Sequence, residues 1–212
     1  MHFGKEISML KEALGRNLPG TEVQWEMASS DRRIRNYPRN PQADSGNAAV
    51  LLLLYPCRGS LSIVFIQRPV YRGVHSGQIS FPGGKKEKDD GSPEETALRE
   101  ACEETGVCDD EVIILGRLTN LFIPVSNTEV TPVVAYIDKH PDFYPDKKEV
   151  LSIIEAPLKI FINGNIVKEK PMRIRDDMLD VKYYDFKGHV IWGATAMLLH
   201  ELISVISKKG IL

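Results

Sequence analysis

No stretch of this 212-residue chain stays apolar long enough to cross a membrane. The longest run, Ala48–Tyr55, falls far short of the ~20 residues of a spanning helix. Charge of one sign is also scarce. Lys and Arg number 27 against 29 Asp and Glu, a formal net charge of −2, so no global basic field recruits nucleic acid. There are three cysteines, Cys57, Cys102 and Cys108, an odd count without the CxxC spacing of a metal knuckle. They predict reduced thiols in a reducing compartment. The opening MHFGKEISMLKEAL has neither the basic region nor the apolar core of a signal peptide, and the closing KKGIL is not a peroxisomal SKL address. A cytoplasmic protein with no membrane partner is the expectation.

What is present suits a globular domain. Hydrophobic residues make up 42% and charged residues 26%, enough to bury a real core. Repeats and low-complexity tracts are absent. The expected division is an N-terminal helix and polar arm over 1–44, followed by one domain over 45–212. Ile7, Leu10 and Leu14 give residues 4–16 helical spacing, with Pro19-Gly20 as its stop. Residues 29–46 are polar and turn-rich. Ala48–Tyr55 and Ser62–Ile66 read as strands of a hairpin turning at Arg58-Gly59, with Ile79–Phe81 after it. Further strands are expected at Val112–Leu118, Val130–Ile137, Leu151–Ile154 and Val181–Phe186. Residues 138–148 form a charged loop, and Ile191–Ile206 reads as a terminal helix. Strands and helices interleave without regular alternation, which predicts an α/β protein with helices packed on a mixed sheet.

One helix stands out. Ser92 is a fitting N-cap, Pro93 occupies the first turn, Glu95 completes a capping box and Gly106 is a C-terminal stop. Ala97, Leu98, Ala101 and Cys102 are expected to form its apolar stripe. Glu100, Glu103 and Glu104 share one face, since three- and four-residue steps nearly close a helical turn. Residues 85–104 hold four cations (Lys85, Lys86, Lys88, Arg99) against eight anions (Glu87, Asp89, Asp90, Glu94, Glu95, Glu100, Glu103, Glu104). Such a surplus repels phosphate unless a hard divalent cation, which takes oxygen ligands, reverses it. The bland reading of the three glutamates is a solvated helix face. Gly83-Gly84, Arg99 and Gly106 in register with them weigh against it. Cys102 is read as core, His75 as a loop histidine bonded to backbone, and Lys85, Lys86 and Lys88 as screening charge.

Residues 84–107 resemble the Nudix box, G-x5-E-x7-R-E-U-x-E-E-x-G-U, at Gly84, Arg99-Glu100, Glu103-Glu104, Gly106 and Val107. The loop half departs from it. Asp90 replaces the glutamate, and eight residues rather than seven separate it from Arg99. Residues 64–84 (VFIQRPVYRGVHSGQISFPGG) are similar to the segment preceding the box in coenzyme A pyrophosphatases of that superfamily, at Arg68, Gly77 and Phe81-Pro82-Gly83-Gly84. There Gly73 stands where a second arginine is usual, with Arg72 one place early, and Pro69 replaces Ser or Ala. That subfamily commonly has a longer box loop.

The resemblance implies a Nudix α/β/α sandwich and a pyrophosphohydrolase, a hydrolase of acid anhydrides in phosphorus compounds. Mg2+ or Mn2+ would be held by Glu100, Glu103, Glu104 and the Gly84 backbone. Water would be activated by Glu100, Glu103 or Glu149. Arg68, Arg72 and Gly83 would meet substrate, guanidinium groups suiting the phosphates of a CoA-like nucleotide. Arg99 and Asp90 would anchor the loop. The products from coenzyme A would be 3′,5′-ADP and 4′-phosphopantetheine. Alternatives are ADP-ribose, dinucleotides or damaged nucleoside triphosphates as substrates, and a non-catalytic module that senses a nucleotide or binds a partner. The N-terminal arm could serve a homodimer.

Overall fold

Along Gly46–Cys57 (β1), side chains alternate between two cores, as the two-residue period of a strand requires. Leu52 and Leu54 enter one core, and Ala49, Leu51, Leu53 and Tyr55 the other. An unbroken apolar run therefore marks a central strand covered on both faces. The computed structural model describes residues 3–30, 40–70, 76–108, 110–163, 166–174 and 177–212.

β1 runs antiparallel to Ser60–Gln67 (β2) through a turn in which Arg58 and Gly59 both have positive φ, 47° and 77°, the geometry of a tight two-residue hairpin. Ile79–Ser80 (β3) pairs with β2, and Gly83–Lys85 (β4) with the start of β1. The helix Pro93–Thr105 (α3) follows, after Gly4–Leu14 (α1) and Gly20–Trp25 (α2) near the N-terminus. Ile113–Arg117 (β5) and Leu121–Ile123 (β6) pair antiparallel with Thr128–Tyr136 (β7), which lies parallel to β1 in register Gly46↔Thr128 to Leu54↔Tyr136. Ser152–Pro157 (β8) closes on β2. These eight strands form one mixed sheet among the described residues. Leu158–Ile162 (α4) leads to a second sheet of Val167–Ile174 (β9), Asp177–Phe186 (β10) and His189–Trp192 (β11), and Gly193–Lys208 (α5) ends the order.

α3 covers one face of the eight-stranded sheet with Ala97 and Ala101. α1, α4 and α5 cover the other with Leu10, Leu14, Phe161, Met197, Leu199 and Leu202. The two cores and the mixed sheet make the α/β/α sandwich. α1 shares the main core through Phe3, Ile7, Leu10 and Leu14.

Three expectations are corrected. Ile191 and Trp192 belong to β11, because Gly193, the first residue of α5, turns the chain there at φ 63°. The buried positions of α3 are Thr96, Ala97, Ala101, Glu104 and Thr105, so Leu98 and Cys102 lie at the margin of the stripe. Cys102 is not a reduced core thiol either. Gly106 takes a left-handed conformation at φ 78° and reverses the chain, bringing Cys108 back over the last helical turn. Cys102 and Cys108 form a disulfide, their Cα atoms 4.6 Å apart. Reduced thiols expected at Cys102 and Cys108 are thus replaced by a bridge, and Cys57 alone is free among the three. Denatured without reductant, the protein should titrate one thiol, Cys57, and three after reduction. Three thiols before reduction would contradict the pairing.

Candidate functional site

Each residue of α3 advances about 100° around its axis. From Glu100, Glu104 therefore lies about 40° toward the sheet and Glu103 about 60° away from it. The face read from the sequence is in fact a fan. The Glu104 side chain is 1% exposed, Glu100 15% and Glu103 58%.

Glu104 is held at both oxygens. Arg68, just beyond β2, places Nη2 2.9 Å from Oε1, and the Gly83 amide donates to Oε2 at 2.8 Å. Burial pushes this carboxyl up to about 7, with Arg68 and the Gly83 amide opposing and the charges of Glu100 and Glu149 adding to the rise. Burial also pushes the Glu100 carboxyl up. Arg99 pulls it down, and Glu103 and Glu149 push it up again. The charges of Glu100, Glu103 and Glu149 thus gather beside Glu104 and one another, and among the described residues the Arg68 and Arg99 guanidinium groups are set against them.

Glu149 reaches this group through backbone bonds. The last carbonyls of α3 need donors, and the loop between β7 and β8 supplies two. The Tyr144 amide donates to Thr105 O at 2.8 Å, and the Asp146 amide to Glu104 O at 3.2 Å. The Glu149 amide then donates to Asp146 O at 3.0 Å, and Leu151 joins Gln67, next to Arg68, at 2.7 Å.

Arg99 clamps the loop entering the helix. Its Nε and Nη2 each lie 3.0 Å from an oxygen of Asp90, and Nη2 also reaches Lys85 O at 3.0 Å. Asp90 is shorter than glutamate, and the extra loop residue brings it within reach. Its Oδ2 also accepts from the Glu87 amide at 2.8 Å and the Thr96 hydroxyl at 2.9 Å. Hydrogen bonds from Arg99 hold the Asp90 carboxyl well below the usual range, with Glu87 and Thr96 helping and burial opposing. The other Nη of Arg99 faces Glu100 at 3.1 Å and Glu103 at 3.2 Å.

The glycines have separate reasons. A Cβ on Gly83, at φ 151°, would lie 2.4 Å from Ala49 O. A Cβ on Gly84 would lie 2.4–2.5 Å from the Glu100 carboxyl group, so glycine keeps that side of the fan open. The donors offered around this opening are carboxylate and peptide oxygens. That set fits a hard divalent cation and not a soft one. The groups that could hold it are Glu100, Glu103, Glu104 and the Gly84 carbonyl.

Arg68 is engaged through Nη2 with Glu104 and with Gly83 O, the latter at 3.0 Å. Nothing local in the sequence announced that role. Only its position directly before Gly83-Gly84 in the fold explains it. Arg72 and His75 lie outside the described residues. The Lys85–Lys88 segment remains at the rim of the loop, all three lysines exposed.

Residues 46–171 match the NUDIX domain family. The chain is 33% identical over 171 residues to a Pectobacterium atrosepticum protein described as an uncharacterized Nudix hydrolase, NudL, covering 80% of this chain and 87% of that one. A namesake from Photorhabdus laumondii is 30% identical, covering 78% and 88%. Among solved structures, a MutT/nudix family protein from Enterococcus faecalis superposes with a TM-score of 0.52 at 14% identity, covering 88% of this chain and 73% of that one. The Nudix hydrolase RenU from M. smegmatis gives 0.51 at 16% identity, covering 77% and 86%. The likeness to these two structures is one of fold.

Proposed function

The chain belongs to the NUDIX domain family, and from that premise we propose that it hydrolyses the diphosphate of coenzyme A or a derivative, giving 3′,5′-ADP and 4′-phosphopantetheine. Its broader class is that of a pyrophosphohydrolase acting on nucleoside diphosphate derivatives, and family members generally need divalent metal ions. The observation that carries the coenzyme A reading is the run Arg68, Gly77, Phe81-Pro82-Gly83-Gly84 leading into a box loop one residue longer than usual.

Glu100, Glu103, Glu104 and the Gly84 carbonyl are the proposed metal-holding groups, for Mg2+ or Mn2+. When bound, the ion polarises a phosphoryl oxygen and lowers the pKa of water. Glu104 is oriented for this by Arg68 and Gly83. Arg99 keeps Glu100 and Glu103 together and, through Asp90, holds the loop against the helix. As water attacks phosphorus, its proton passes to one of the carboxylates bordering the opening, Glu100, Glu103 or Glu149. The new P–O bond replaces the bridging P–O bond, and the electron pair leaves with the departing phosphate. Arg68 serves first as the positioning residue of Glu104. Arg72 is kept as a phosphate partner on sequence grounds, and the Gly83 backbone as the turn that carries the site.

The test is a panel of coenzyme A, ADP-ribose, a diadenosine polyphosphate and nucleoside triphosphates, assayed with Mg2+ and with Mn2+. Coenzyme A should show the highest kcat/KM. Coenzyme A left intact while ADP-ribose turns over fast would sink the substrate assignment.

Glu104 also links pH, metal and stability. Its folded-state pKa of about 7 lies above the ordinary 4.5, so the protonated form favours the fold. In metal-free protein that stabilisation is present below pH 4.5 and is lost as pH rises toward about 7. A divalent cation competes with the proton, so Mg2+ should recover the loss above that range. Thermal melts with EDTA or Mg2+ check this; EDTA melts that rise between these pH values would contradict it.

A further inference from the structure

We propose that Cys57, His140 and Glu155 form a second metal site, one that takes Zn2+ or a similar borderline divalent cation. It is independent of the hydrolytic reading above.

The topology brings these distant residues together. Cys57 ends β1. β7 runs parallel to β1 with Tyr136 beside Leu54, so the loop that carries His140 leaves the sheet at the same end. β2 returns antiparallel from Cys57 and pairs with β8, placing Glu155 opposite Val64. One ligand atom from each residue lies within 4.8 Å of the other two, and this is the one such cluster among the described residues. Roughly 25 Å of strand separates Cys57 from Ala49, the partner of Gly84 at the carboxylate fan.

The surroundings are those of a held ligand set. Tyr55, two residues before Cys57 and on the same strand face, is fully buried and donates its hydroxyl to Glu155 Oε2 at 3.0 Å. His140 Nε2 lies 2.7 Å from the same oxygen. The imidazole ring meets Tyr55 and Phe143 edge-on, with centroids 5.6 Å and 5.9 Å away. Such outer contacts fix the orientation of metal ligands. His140 and Glu155 side chains are 47% and 34% exposed, which leaves a path of entry and room for water in a fourth position.

A nucleophilic thiol fits less well. That chemistry needs an imidazole between thiol and carboxylate. Here the carboxylate occupies the middle, and burial and Glu155 push the Cys57 thiol up, away from the thiolate. A bound cation reverses that preference, since a coordinating thiol loses its proton outright. Thiolate, imidazole and carboxylate together suit Zn2+, whereas the all-oxygen fan suits Mg2+. The two sites should therefore be distinguishable by metal.

The test is Co2+ titration of the full-length, EDTA-stripped protein in excess Mg2+ without thiol reductant, which leaves the Cys102–Cys108 disulfide intact. One equivalent of Co2+ should raise a thiolate-to-cobalt charge-transfer band in the near ultraviolet, and Zn2+ should abolish it. The band should vanish in Cys57→Ser and persist in Glu103→Gln. Affinity should fall at least about tenfold in Tyr55→Phe, the change expected for loss of an outer-shell hydrogen bond. His140→Ala, at an exposed position, should abolish tight binding without disturbing the fold, which keeps the test valid if Cys57→Ser misfolds. A titration with no thiolate band, or a band unchanged in His140→Ala, would overturn the proposal.

Discussion

Glu103→Gln should lower kcat/KM by about a hundredfold to a thousandfold while leaving the melting temperature unchanged. A divalent ion contributes several kcal/mol of charge stabilisation in the transition state, and losing about 3–4 kcal/mol slows a reaction by that factor. Fold and activity separate because of where Glu103 sits. Its side chain is 58% exposed, and it meets Arg99 at 3.2 Å while that residue keeps its two-pronged hold on Asp90. Steady-state rates in Mg2+ and a thermal melt of the same sample check it. Near-wild-type turnover would remove Glu103 from the proposed metal-holding set.

The largest expected loss of stability lies elsewhere, at Glu201 on α5. This carboxylate is fully buried. It accepts from the Gly20 amide at 3.1 Å, Gln24 Nε2 at 2.7 Å, and the amide and hydroxyl of Thr119 at 3.2 and 2.7 Å. One side chain thus joins α2, the turn after β5 and α5. Glu201→Ala leaves these donors buried without their acceptor, a loss of about 3–5 kcal/mol. For a chain of this length that lowers the melting temperature by roughly 10 °C. Glu201→Gln keeps an acceptor and should lose less. A shift under about 3 °C in Glu201→Ala would show that water replaces the carboxylate in this network.

Glu201 also shows where sequence reading ends. It lies between Leu198 and Leu202 in an amphipathic helix, and its partners are more than 80 residues away in the chain. No local pattern announces a buried carboxylate of that kind. The short helix α2 was missed for the same reason, since what holds it is the contact with α5 and not its own six residues. β9, reading VKEKPMRI, has too many charges to look like a strand. It forms because β10 pairs with it along its whole length while much of it faces solvent.

Elements that carry their own signal were legible. The apolar run in β1, the Val130–Ile137 stretch that contains most of β7 and the capped helix α3 all express patterns that burial enforces. The site was legible in part. The spacing of Glu100, Glu103 and Glu104 placed them on one side of α3. That they run from buried to open depends on how the sheet meets the helix, which spacing alone does not say. The capture of Arg68 by Glu104 and the Cys102–Cys108 bond both arise from chain reversals, one around Gly83 and one at Gly106. Reading residues one element at a time does not reveal such closures.

The proposed activity is the cleavage of a coenzyme A diphosphate at the α3 carboxylates. Mass analysis of coenzyme A incubated with the protein and Mg2+ tests it most directly. The expected products are 3′,5′-ADP and 4′-phosphopantetheine in equal amounts, each at least about a hundredfold scarcer with Glu103→Gln over the same interval. Intact coenzyme A under conditions in which another nucleoside diphosphate derivative is hydrolysed would contradict it.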